Sequence, residues 1–292
     1  MYFCRGFDRD IFVMKKRMES EQSAPEKFID IREVIRKKNP MMAKMMPEFV
    51  VSFMKKLIHE EEVNRIIYDY RDRYGLDFVR SILDDMKVTY SMEGLERVPA
   101  EGRYIFASNH PLGGFDGLVL MDAIGTKFPE IRFIVNDILL NIKNFDPIFV
   151  PVNKHGQQSP EYARTIDKTY SSHAQVLYFP AGLCSRKIKG QISDPKWNKN
   201  FVQKAVLYCR DVVPIYFEGR NSDFFYRLAN FRKKLRIKTN LEMTFLVDEL
   251  FKQKGQHLKL KFGTPIAYTL FDKSKCYSQW TDLVREKVYA MQ

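Results

Sequence analysis

The chain has 292 residues, 45% of them hydrophobic and 14% aromatic, enough for a sizeable core and too apolar for a disordered chain. Lysine and arginine number 48 against 36 acidic residues, a net charge of +12, which points to a polyanionic partner: an anionic membrane, nucleic acid, or a phosphate-bearing cofactor or acidic carrier protein. Cys4, Cys184, Cys209 and Cys276 form no Cys-x-x-Cys pair, which argues against a zinc ribbon or a disulfide framework and for a reducing compartment.

Residues 1–27 read as a flexible N-terminus without the apolar stretch of a secretory signal. Met14, followed by Lys15-Lys16-Arg17, is an alternative translation start. No stretch reaches the roughly 20 apolar residues that span a bilayer, so the expected location is cytoplasmic.

Residues 28–87 carry a helical pattern. From Pro40, the residues Met42, Met45, Met46, Phe49, Val50, Phe53, Met54, Leu57 and Ile58 recur at helical spacing, with Lys44, Glu48, Lys55 and Lys56 between them. The spacing predicts one amphipathic helix over about 41–58. Two uses remain open: packing on the core, or lying on a membrane, for which the methionines and the nearby Arg36-Lys37-Lys38 are suited.

Residues 88–292 alternate short β-prone runs with helical ones. Candidate strands are 88–92, 104–107, 131–135, 148–152, 176–179, 212–217 and 258–262. This alternation predicts an α/β fold with a largely parallel sheet flanked by helices, preceded by the N-terminal helical segment. Ligands of such sheets gather at the carboxyl ends of strands, which directs attention to the loops there. Pro214, within Val213-Pro214-Ile215, implies an edge strand or a bulge.

The first loop is Ser108-Asn109-His110-Pro111-Leu112-Gly113-Gly114-Phe115-Asp116-Gly117, between the strand at 104–107 and a helix expected over 118–124. A histidine with a carboxylate near its Nδ1 has the parts of a general base: a free Nε2 and a partner that fixes the tautomer. The second loop, Phe179-Pro180-Ala181-Gly182-Leu183-Cys184-Ser185-Arg186-Lys187, combines a flexible residue, a hydroxyl and two cations suited to an anion. The third follows the Pro214 run and reads Glu218-Gly219-Arg220-Asn221-Ser222.

In order and spacing, these pieces resemble the glycerolipid acyltransferase superfamily, typified by the 1-acylglycerol-3-phosphate acyltransferases. Asn109-His110 through Asp116 is similar to its first motif and Phe179-Pro180-x-Gly182 to its third. Val213-Pro214-Ile215 is similar to the fourth, and Phe149 through Lys154 occupies the place of the second. The His-Pro-Leu-Gly-Gly-x-Asp-Gly form resembles a bacterial branch that includes O-acyltransferases of ornithine and glycine lipid synthesis and haemolysin-like proteins. Five residues separate His110 from Asp116 where the family has four, an excess that Gly113-Gly114 can absorb in a bulge. Ala181 stands in place of the third motif's glutamate, and Leu183-Cys184 in place of its Thr-Arg.

The resemblance implies an O-acyltransferase in which His110 is the base and Asp116 holds its ring. The donor is a fatty-acyl thioester, acyl-CoA or acyl-ACP; no bound cofactor and no metal is implied. Asn109, Gly113, Gly114, Lys154, Gly182, Ser185 and Arg186 are the expected substrate-binding residues. The amides of Gly113 and Gly114, or the helix start beyond Gly117, are candidate oxyanion donors, and Lys154, Ser185 and Arg186 are candidates for an anionic group. The acceptor is a lysophospholipid or a monoacylated amino-acid lipid, and the location becomes peripheral on the inner face of the cell membrane. Cys184 reads as a passive thiol.

No Gly-x-Ser-x-Gly, Walker A or Gly-x-Gly-x-x-Gly motif is present, and His59-Glu60-Glu61 lacks a zincin's second histidine. A rival reading is a non-catalytic basic module. The run 224–238 interleaves Phe224, Phe225, Tyr226 and Phe231 with Arg227, Arg232, Lys233, Lys234, Arg236 and Lys238. It suits an anionic membrane or the solvated face of a core helix better than nucleic acid.

Overall fold

The computed structural model describes residues 27–136, 142–152, 160–237 and 240–292. The N-terminal stretch through residue 26, together with Lys154 and His155, lies outside them. Five helices come first: α1 (Ile31–Lys38), α2 (Pro40–Met45), α3 (Glu48–Leu57), α4 (Glu60–Asp69) and α5 (Gly75–Asp85). There follow β1 (Thr89–Glu93), β2 (Tyr104–Ser108), α6 (Phe115–Gly125), β3 (Ile131–Asn136), β4 (Phe149–Val152), α7 (Pro160–Ser171) and β5 (Gln175–Tyr178). A hairpin of β6 (Arg186–Ile188) and β7 (Gln191–Ser193) leads to α8 (Asn200–Tyr208), β8 (Asp211–Glu218) and α9 (Asp223–Lys234). The chain ends with α10 (Leu246–Phe251), β9 (His257–Phe262) and α11 (Tyr277–Tyr289).

The single amphipathic helix expected over 41–58 is in fact two. Asn39 caps α2 through Oδ1, which accepts from the amide of Met42 at 3.0 Å, and Pro40 sits at the first helical position. Pro47 then forces Met46 into an extended conformation and restarts the helix as α3. Met41, Met45, Phe49 and Phe53 are exposed, whereas Val51 is buried. Of the stripe itself, Met42, Met45, Phe49 and Phe53 are exposed and Met46, Val50, Met54, Leu57 and Ile58 are half-buried.

All seven candidate strands form one sheet, in the order β1-β9-β8-β2-β5-β3-β4. Every pairing in it is parallel except β8 with β9. Helices cover both faces, as strands without a polar side require. Tyr104 and Phe106 of β2 join Val213, Ile215 and Phe217 of β8 in a core with α4, α5 and α6. Ile105 and Ala107 join Val212 in a second core with α8 and α11.

Pro214 sits on an interior strand, against the edge-strand alternative, and the bulge explains how. Its carbonyl accepts from Gly263 on the β9 side at 2.8 Å, so its missing N–H falls on that side. Val212 pairs with Ile266 while Ile215 pairs with Phe262, so the partner chain carries one extra residue there, a bulge.

Arg210, fully buried just before β8, pins the sheet to the end of α7. Its guanidinium donates to the carbonyls of Tyr170 (2.7 Å), Ala174 (2.9 Å) and Tyr104 (3.2 Å). Burial lowers its pKa to about 10, and a helix C-terminus is where a cation is favoured.

Candidate active site

β2 is buried along its whole length, and its carboxyl end delivers Asn109 and His110 at the middle of the sheet. Asn109 does not face a ligand. Its Nδ2 donates to the carbonyl of Phe217 at 2.9 Å and its Oδ1 accepts from the amide of Phe217 at 2.7 Å, extending the β2–β8 ladder through a side chain. Both halves of the amide of this expected substrate-binding residue are thus engaged within the fold.

The next residue turns toward β5. Oδ2 of Asp116, a residue with 0% exposure, lies 2.8 Å from Nδ1 of His110. The same oxygen accepts from the amides of Leu112 (3.0 Å) and Gly113 (3.4 Å), and Oδ1 accepts from Gly117 (3.0 Å). A carboxylate in that setting only accepts, so the imidazole proton sits on Nδ1 and the lone pair is left at Nε2. Among the described residues nothing bonds to Nε2. The ring lies against Phe179, centroids 3.9 Å apart and planes at 20°, which closes one face to water.

Gly113, within the longer His110–Asp116 spacing, has a φ of +81°. A Cβ there would lie 2.6 Å from Cδ2 of Leu246 and 3.1 Å from Cβ of Cys184, so the backbone is both left-handed and tightly enclosed. α6 begins at Phe115 and not beyond Gly117, which places Asp116 in its first turn, where the helix dipole favours an anion. Because Gly113 donates to Asp116, it is not available as an oxyanion donor. The amides of Gly114 and Phe115, at the start of α6, have no acceptor among the described residues.

The second loop supports the first. The amide of Ser185 donates to the carbonyl of His110 at 2.7 Å, and its hydroxyl to Oδ1 of Asp194 at 2.6 Å. That buried hydroxyl is turned inward, contrary to its expected contact with substrate. Gly182 adopts φ +62° in the turn that returns to Phe179. Arg186 is also committed: it donates to the carbonyl of Cys184 (2.7 Å) and pairs at 3.0 Å with Glu242. Glu242 is fully buried and also forms an ion pair with Arg232, whose Nη2 donates to Oε1 at 3.3 Å. Arg186, expected to meet an anionic group of a substrate, is thus engaged by partners within the fold. Burial pushes the Cys184 thiol up to about 11 despite Arg186 beside it, which suits the passive reading.

Sequence reasoning missed Asp194, Trp197, Glu242 and Tyr289. None carries a motif spacing, and each reaches the site through tertiary packing alone.

The family model described as Acyltransferase matches residues 33–292. The chain belongs to this acyltransferase family. Of the glycerolipid superfamily's curated proteins, the lyso-glycine lipid O-acyltransferase of Bacteroides thetaiotaomicron is 41% identical over 265 residues, covering 90% of this chain and 97% of that one. The protein of the same name from Phocaeicola vulgatus is 40% identical, covering 90% and 95%. Among solved structures, the 1-acyl-sn-glycerophosphate acyltransferase PlsC from Thermotoga maritima aligns over 82% of this chain and 95% of its own, at a TM-score of 0.46 and 15% identity.

Proposed function

We propose that this acyltransferase moves a fatty acyl group from a thioester donor, acyl-CoA or acyl-ACP, to the hydroxyl of a monoacylated amino-acid lipid, a lyso-glycine lipid in particular. The observation that carries the reading is the His110–Asp116 pair: Nδ1 is held by a buried carboxylate, and Nε2 is open beside an aromatic wall. The names of the two relatives at 40–41% identity support the acceptor class.

In this reading the acceptor hydroxyl gives its proton to Nε2 as its oxygen attacks the thioester carbonyl. The imidazolium is stabilised by Asp116, an arrangement worth about a hundredfold to ten-thousandfold in rate. The tetrahedral oxyanion is met by the amides of Gly114 and Phe115 at the start of α6. On collapse the carbon–sulfur bond breaks and the thiolate takes the proton back from Nε2. No acyl-enzyme forms, and Cys184 stays out of the reaction.

A lipid acceptor calls for an interface. No helix among the described residues is long and apolar enough to cross a membrane; in this reading contact is peripheral. It is carried by the exposed Met41, Met45, Phe49 and Phe53 and by Phe231 and Leu235 with the cations of α9 around them. Lys154, on the second-motif segment and outside the described residues, is the cation assigned in this reading to the acceptor's carboxylate.

The test offers purified protein a labelled acyl-CoA or acyl-ACP together with lyso-glycine lipid or lysophosphatidate. Transfer to the glycine lipid, lost in His110→Ala, is expected. Faster transfer to lysophosphatidate would overturn the acceptor, and an active, folded His110→Ala protein would overturn the base.

A further inference from the structure

The carboxylate of Asp194 lies beside the site yet belongs to none of the motifs. It follows β7, is 3% exposed, and has no cationic side chain paired to it among the described residues. An unpaired buried acid is costly, and burial pushes this carboxyl upward.

What it receives in return is three hydrogen bonds. Oδ1 accepts from the main-chain amide of His110 at 3.2 Å and from the hydroxyl of Ser185 at 2.6 Å. Oδ2 accepts from Nε1 of Trp197 at 2.9 Å. Asp194 is itself anchored: its amide donates to the Tyr289 hydroxyl at 2.7 Å, and its carbonyl accepts from Arg285 at 3.2 Å. With Ser185 donating to the carbonyl of His110, both backbone groups of His110 are tied to one distant segment, 84 residues along the chain in the case of Asp194.

We propose that Asp194 is a positioning residue for acyl transfer: by joining the His110 amide to the Ser185 hydroxyl, it locks the two loops together and sets the direction in which Nε2 points. The inference rests on His110 being the base. Asp194 touches neither the ring nor a reacting atom and acts only through the backbone of His110. Rotation of the imidazole is already limited by Asp116 and Phe179, so the remaining freedom is movement of the loop as a whole, and that is what Asp194 removes.

The test uses the chemistry of its three donors. Asp194→Asn keeps one accepting oxygen but turns an NH2 toward Nε1–H of Trp197, two donors facing each other. Adding Trp197→Phe removes that conflict. We expect Asp194→Asn to lower kcat about a hundredfold, as a misplacement near 1 Å does. KM for both substrates should stay within about threefold, because binding is not the part lost. The double variant should regain about tenfold over Asp194→Asn, although Trp197→Phe alone gains nothing. Ser185→Ala, which leaves the carboxylate in place, should lower kcat about five- to tenfold and carries the test if Asp194→Asn does not fold.

All rates are taken per folded molecule, measured by circular dichroism. A lower melting temperature with unchanged kcat per folded molecule, a loss confined to KM, or no recovery in the double variant overturns the proposal. An active His110→Ala protein instead overturns the base assignment, a distinct result.

Discussion

Phe179 lies flat on the imidazole of His110, 3.9 Å between centroids, and meets Phe133 edge-on at 5.3 Å. The third-motif turn thus contributes to the site through its aromatic residue. Phe179→Leu should keep most of the buried area while losing the flat wall. We expect about a tenfold fall in kcat with a stability loss near 1 kcal/mol; steady-state rates and thermal melts check it, and unchanged kcat would reduce Phe179 to packing.

His110→Ala should leave the fold intact and lower transfer by about a thousandfold or more. Asp116→Asn should do two kinds of damage, because Asp116 also accepts from Leu112, Gly113 and Gly117. An amide presents NH2 to some of those donors, so a stability loss of about 2–3 kcal/mol should accompany the lost activity. Parallel activity and urea-melt measurements separate the two.

Gly113 and Gly190 both have positive φ, +81° and +85°, but a Cβ at Gly190 would meet nothing within 4 Å. Alanine at Gly190 should therefore cost only the backbone preference, about 1 kcal/mol. At Gly113 it must also displace Leu246, for a total of about 3 kcal/mol, with activity falling as the loop shifts. Equal melting temperatures for the two variants would show that the Leu246 contact yields freely.

Arg65 holds Asp85 in a two-pronged pair, Nη1–Oδ1 2.9 Å and Nη2–Oδ2 2.7 Å, joining α4 to α5. Hydrogen bonds from Arg65 are the main reason the Asp85 carboxyl titrates below its usual value. A depressed carboxyl stabilises the fold above its unfolded pKa, near 4, and that contribution is lost as pH falls through the folded value. Arg65 is about half exposed, so solvent screening limits the effect to about 1 kcal/mol. Asp85→Asn should be less stable than wild type by that amount at pH 7 and equal to it near pH 2; a difference independent of pH would contradict the pairing.

Membrane contact should respond to Phe49→Asp/Phe53→Asp and to charge reversal at Lys233, Lys234 and Arg236. Arg232 is left out because it bonds buried Glu242. Each set should weaken sedimentation with anionic vesicles severalfold, and added salt should weaken the wild type as well. Folded variants that pellet as wild type does would assign both patches to solvent.

The strands were legible because runs such as Ile105-Phe106-Ala107 and Val212-Val213 are short, apolar and buried on both faces. The His110–Asp116 pair was legible because its members are only six positions apart in the chain. The break at Pro47 was written in the sequence, but the methionine stripe runs straight across it and outweighed it. The partners of Ser185 and Arg186 within the fold were not legible, because sequence shows a side chain's chemistry and not what it meets. Asp194 and Glu242, which engage them, come from later segments of the chain.

The paired hydrogen bonds between Asn109 and Phe217 join residues 108 positions apart. During synthesis β2 can be made early, yet it gains its β8 neighbour only after residue 218 has cleared the ribosome, and closure of so long a loop is slow. The loop of His110 and Asp116 is thus left without its β8 neighbour in a nascent chain: if the pair is the base proposed above, a ribosome-held fragment ending before β8 should contain both residues and still turn nothing over.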